Sequence, residues 1–101
     1  MLASESVKVG DTVICMIDEW RKGSKECFDC SVLIKENKGV EVLYLSGYRS
    51  RNDFVEWDDV IAKVDMSQPL IHVGAFEGHF LPFESVSVQQ SSTEQMNKEV
   101  L

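Results

Sequence analysis

Two strand-like apolar runs flank a polar turn between Val40 and Ile61. This pattern commits the middle of the chain to a sheet. Val40, Val42 and Tyr44 recur with period two and share one face, while Glu41, Leu43 and Leu45 share the other. Ser46 to Asn52 supplies the turn, and Asp53 to Glu56 opens the next strand. Asp58-Asp59 is suited to cap a single helical or 3₁₀ turn through Val60, Ile61 and Ala62.

The rest of the chain extends the same reading. Residues 1–7 read as a loose lead-in. Val9-Gly10-Asp11 is a turn that launches the apolar run Thr12 to Ile17. Asp18 to Glu26 is polar, contains Gly23-Ser24 and reads as a loop. Phe28 to Lys35 suits a second strand, and Glu36-Asn37-Lys38-Gly39 a hairpin turn into the third. Lys63 to Pro69 is a connection. Leu70 to Val73 and His79 to Phe83 are apolar enough to join the core, as a fifth strand or a closing loop. Pro82 confines the second of these runs to an edge or a strand end. From Ser85 hydrophobic content falls, so 85–101 reads as a flexible tail behind a domain spanning 7–84. No run has the length of a helical βαβ crossover, which makes the class all-β.

Composition bounds the partners. The 101 residues suit one domain, and the formal net charge of -7 disfavours phosphate backbones while favouring a Lys/Arg-rich partner. No apolar run approaches the roughly 20 residues that cross a bilayer, so no membrane role is expected. The N-terminus lacks the basic and apolar regions of a secretory signal. Three cysteines without such a signal imply reduced thiols.

Chemistry concentrates where aromatics and carboxylates interleave. Tyr44, Tyr48, Phe54 and Trp57 crowd the central turn, with Trp20 in the first long loop as a further ring. Aromatic faces beside carboxylates are what holds an alkylated ammonium ion, at roughly 0.5–2 kcal/mol per favourable ring. Alternation limits the set, because Phe54 and Trp57 fall on opposite faces of one strand. Tyr44 fits a core position. Asp53, Glu56 and Asp58 form an acidic rim, although Asp58 or Asp59 also suits a cap. Cys27-Phe28-Asp29-Cys30 with His72 and His79 offers four zinc-type ligands, but the histidines are seven apart and the cysteines would point to opposite faces. No metal or cofactor is expected. No nucleophile elbow, phosphate-binding glycine loop or H-E-x-x-H motif is present, so no catalytic residues are assigned.

The order of these elements resembles the Royal superfamily of SH3-like barrels, which includes chromo-barrel (Tudor-knot) and Tudor domains. The resemblance runs from about Val9 to Val64. Val9-Gly10-Asp11-Thr12-Val13 is similar to the opening strand of a chromo barrel, and Phe28 to Ile34 to its second. Tyr44, Gly47, Tyr48 and Asp53 match a signature of the form Y-x-x-G-W-x-x-x-x-D-E-W-V. The family's tryptophan stands two residues after the aspartate. Here Val55 holds that place and Trp57 lies two further on, on the same face but roughly 6–7 Å along the strand.

The resemblance implies a five-stranded SH3-like (chromo-barrel/Tudor-like) β-barrel with a short 3₁₀ or helical turn and a C-terminal extension. It implies a non-catalytic, nuclear, chromatin-associated reader of a basic, methylated histone tail, acting among subunits of a larger complex. The cage would be Tyr48 and Trp57, with Phe54, Trp20 or Tyr44 beside them. Two other readings remain open. One is a protein–protein barrel whose cage has degenerated, docking through Phe76, Phe80, Leu81 and Phe83. The other is an RNA- or DNA-binding barrel using Arg49 and Arg51.

Overall fold

Alternating apolar residues in four successive runs build an antiparallel meander, and a bulge then turns the sheet onto a second core. The computed structural model describes residues 1–19, 23–46 and 52–84. A short helical turn α1 (Ala3–Ser6) precedes seven strands: β1 (Thr12–Glu19), β2 (Ser24–Lys35), β3 (Gly39–Tyr44), β4 (Asn52–Glu56), β5 (Val60–Val64), β6 (Leu70–Val73) and β7 (Phe76–Pro82). A 3₁₀ turn, Trp57–Asp59, links β4 to β5. The strands form one open antiparallel sheet in the order β4-β3-β2-β1-β5-β7-β6.

The chain is therefore all-β, with seven strands where the sequence pattern predicts about five. Three differences have local causes. The expected loop 18–26 is mostly strand, because Asp18 pairs with Lys25 and Glu19 with Ser24 across a tight turn at Gly23, φ 66°. The 3₁₀ turn comes three residues earlier than expected, which frees Val60–Val64 to pair with β1 and β7. The lead-in is packed: Ala3 and Val7 are buried in the main core. The Lys63 ammonium donates to the Ser6 carbonyl at 3.1 Å, tying α1 to β5.

The inner face of the meander carries the main core. Val13, Cys15, Cys30, Val32, Val40, Val42, Tyr44, Val55 and Val60 are all buried there. Each fully buried valine contributes roughly 1.5–3 kcal/mol. At the β1–β5 junction the register slips: Cys15 faces Val60, but Ile14 faces Ala62. Ile61 is the extra residue of this β-bulge. Val60 consequently joins the main core, whereas Ala62 turns to the other face with Ile14 and Phe80.

That second cluster is covered by the β6–β7 hairpin. Ile71, Val73 and Phe76 pack into it, together with Cys27 from β2. Phe76 and Phe80 are thus taken up in the second cluster, and Phe83 packs against the first. The run 70–83 does not offer these rings as an exposed patch. At the hairpin tip Gly74 has φ 59°, and a Cβ there would run into the Cys27 thiol. Cys27 and Cys30 serve different cores, as a three-residue offset on a strand requires.

Gly39 begins β3 in a buried position where β4 crosses closely. A Cβ at Gly39 would overlap the Val55 carbonyl oxygen and lie 2.9 Å from the Glu56 Cα. Those are backbone atoms, so the strand itself would have to move. Gly39→Ala is expected to destabilise the protein by about 1–3 kcal/mol, measured as a lower urea midpoint at unchanged slope. An unchanged midpoint would show that β4 is free to shift.

Candidate functional site

The largest depression among the described residues is a groove of about 450 Å³ lined by Met16, Ile17, Asp18, Lys25, Asp53, Phe54, Val55, Glu56 and Asp59. Its walls come from β1 and β4, which are far apart in strand order. The curl of the sheet brings them to face each other. Four carboxylates (Asp18, Asp53, Glu56, Asp59) line it against a single ammonium, Lys25. Lys25 makes a two-oxygen ion pair with Asp59, at 2.9 Å to each oxygen. That carboxylate holds the Lys25 ammonium above the usual lysine value, with Asp18 and Glu56 adding to the effect. The groove keeps an acidic excess after this pair is formed.

The predicted site residues divide by environment. Tyr44 is 5% exposed and meets Phe28 edge to face, with ring centroids 5.5 Å apart. Its hydroxyl donates to the Asp53 carboxylate at 2.5 Å, so Asp53 both caps a core tyrosine and lines the groove. Phe54 is 48% exposed on the opposite face of β4 from Val55. Asp53 and Glu56 therefore meet in the groove, with Phe54 between them. Trp20 and Tyr48 lie outside the described residues, as do Arg49, Arg51 and the 85–101 segment.

Trp57 belongs to the 3₁₀ turn rather than to β4. Its indole N–H donates to the Asn37 carbonyl at 2.9 Å, which fixes the ring against the β2–β3 turn. The Lys35 ammonium lies 5.7 Å from the ring centroid. Trp57 thus already holds a cation, supplied by its own chain. Beside it is a shallow hollow of about 300 Å³ formed with Lys38, Glu56 and Asp58. Glu56 is the wall shared by hollow and groove. The β3–β4 turn leaves from the Asn52 end of β4, about 13 Å from the Glu56 end at about 3.3 Å per residue.

Asp18, Lys25 and Asp59 are groove residues that the sequence reading did not single out. The signal for the first two was present: a hairpin turn at Gly23-Ser24 places Asp18 opposite Lys25. Asp59 is brought in by the 3₁₀ turn and cannot be placed from strand alternation.

The sulfur atoms sit apart from the groove. Cys15 and Cys30 are buried neighbours on the inner face, and Cys27 lies 3.3 Å from the Met16 thioether. The hydrogen bond with Cys30 and burial push the Cys15 thiol far up, and burial alone raises Cys27. No group of three or more His, Cys, Asp or Glu side chains suited to a metal occurs among the described residues. Comparison with protein-family models, with curated proteins and with solved structures finds no match. The chemistry of the groove rests on its own residues.

Two outcomes follow from these contacts. Tyr44→Phe keeps the ring and removes the donor, leaving Asp53 with one partner fewer. It should cost about 0.5–1.5 kcal/mol in denaturant unfolding, and a neutral result would mean that water replaces the hydroxyl. A thiol with a raised pKa carries little thiolate at mildly alkaline pH. Cys15 and Cys27 should therefore resist iodoacetamide at pH near 8 until urea unfolds the chain. Labelling of Cys15 as fast in buffer as in urea would contradict its burial.

Proposed function

We propose that this chain is a non-catalytic binding module for a basic peptide, seated along the acidic groove. The observation that carries this reading is the excess of carboxylates in that groove, where one of four is matched by Lys25. Electrostatic complementarity of this kind steers a cationic partner and fixes its orientation. The net charge of -7 acts in the same direction over longer range.

The strand order β4-β3-β2-β1-β5, with a 3₁₀ turn between β4 and β5, supports an SH3-like barrel as the finer description of the first five strands. With the Royal-superfamily resemblance, it favours a histone tail as the basic peptide. A chromatin-associated role in the nucleus, within a larger complex, belongs to the same reading. Methyl-lysine recognition would draw on exposed rings near the groove. Phe54 lines the groove itself, and Trp57 shows its affinity for an ammonium through Lys35.

Titration of unmodified and trimethylated histone-tail peptides, followed by tryptophan fluorescence, tests the proposal. Binding should weaken with salt, because the groove carboxylates are in contact with solvent. The double variant Asp18→Asn, Glu56→Gln removes two charges without touching the Tyr44–Asp53 contact. It should weaken binding about three- to tenfold, given about 0–1 kcal/mol per exposed pair. Preference for the trimethylated peptide supports the reader. Equal affinity reduces the function to basic-peptide capture. Silence of both peptides at low salt would sink the proposal.

A further inference from the structure

The groove is lined by Asp53, Phe54, Val55 and Glu56, four consecutive residues of one strand. Side chains on a strand alternate between faces, so consecutive residues cannot all project into one space. What they share is the strand's edge. β4 ends the sheet, and its paired neighbour among the described strands is β3. The groove therefore runs along the outer edge of β4.

The facing wall has the same character. Met16, Ile17 and Asp18 are consecutive in β1. On one side they pair with β2, Met16 with Cys27, Ile17 with Glu26 and Asp18 with Lys25. On the other side β5 pairs with Val13, Ile14 and Cys15 and goes no further. The Ile61 bulge and the 3₁₀ turn carry the chain away at that point. Beyond Cys15 the β5-side edge of β1 has no strand partner among the described residues. The groove thus lies between two strand edges, as a seam left where the sheet curls without closing.

The geometry points to strand insertion: an extended lysine- or arginine-rich peptide enters this seam as an additional strand, hydrogen-bonding Asp53–Glu56 on one side and Met16–Asp18 on the other. This rests on the basic-peptide reading and specifies its mode. Main-chain pairing supplies affinity, and alternate side chains supply selectivity. One face of the inserted strand meets the carboxylates, which commits the occupant to a basic peptide. The chain's own 85–101 segment is a poor candidate by charge, holding Glu94 and Glu99 against Lys98. A second copy would bring the same acidic edge to itself.

The test compares a short lysine-rich peptide with the same peptide N-methylated at alternate backbone amides. The pair has equal charge but differs in donors. With the full chain, the N-methylated peptide should bind at least about tenfold more weakly, since hydrogen bonds at the seam are lost. Hydrogen exchange should show amides within 53–56 and 16–18 slowed by the unmodified peptide. Equal binding of both peptides overturns strand insertion and leaves basic-peptide binding intact. Failure of both to bind overturns both. Amides at both edges already protected in the free monomer would show the seam filled by the chain itself. A dimer that protects them would show it filled by a second copy. Either result overturns the inference.

Discussion

The residue between Val60 and Ala62 governs the arrangement. Without the bulge at Ile61, positions 60 and 62 would share one face of β5, and the sheet would have one core. With it, Val60 packs inward beside Cys15 while Ala62 packs outward beside Ile14. The strand serves two cores with two small side chains, and the β6–β7 hairpin gains a surface to cover. The same slip ends the β1–β5 ladder at Cys15. One extra residue therefore both creates the second core and leaves the seam beside β1.

Much of this was legible in the sequence. Period-two alternation located β3 and β4, and apolar runs located β1 and the C-terminal half of β2. The all-β class followed. What alternation cannot reveal is where it is interrupted. A bulge adds a residue without changing composition, so Val60-Ile61-Ala62 reads equally well as a helical turn. The N-terminal turn was missed for a related reason: Ala3 and Val7 are two small apolar residues in a polar context, and their burial depends on β5 and the 3₁₀ turn lying beneath them. Of the acidic rim, Asp53 and Glu56 were accessible from position alone, because they flank the exposed Phe54 on β4. Lys25 and Asp59 come from segments distant in sequence and needed the tertiary structure to meet.

Trp57 shows how burial and function compete for one ring. Its displacement past the end of β4 lets the indole N–H reach the Asn37 carbonyl, which secures the β2–β3 turn. That anchoring leaves a ring face for Lys35. A ligand cation at this ring would have to compete with a tethered lysine, whereas a ligand in the groove meets carboxylates of which Lys25 neutralises one. The electrostatic case is accordingly stronger for the groove, with Glu56 as the link between the two.

Open strand edges invite unwanted pairing, and proteins guard them with charge. Here the guard is acidic: Asp53 and Glu56 flank the β4 edge, and Asp18 stands at the β1 edge. Two copies meeting edge to edge would bring carboxylate against carboxylate, which opposes self-association. The same charges attract a strand of opposite sign. A single sign of charge thus rejects the chain's own edges and admits a basic one, so selectivity against self and selectivity for the partner arise from the same side chains. Neutralising the edge carboxylates would weaken both at once, which ties the solubility of this fold to the chemistry of its groove.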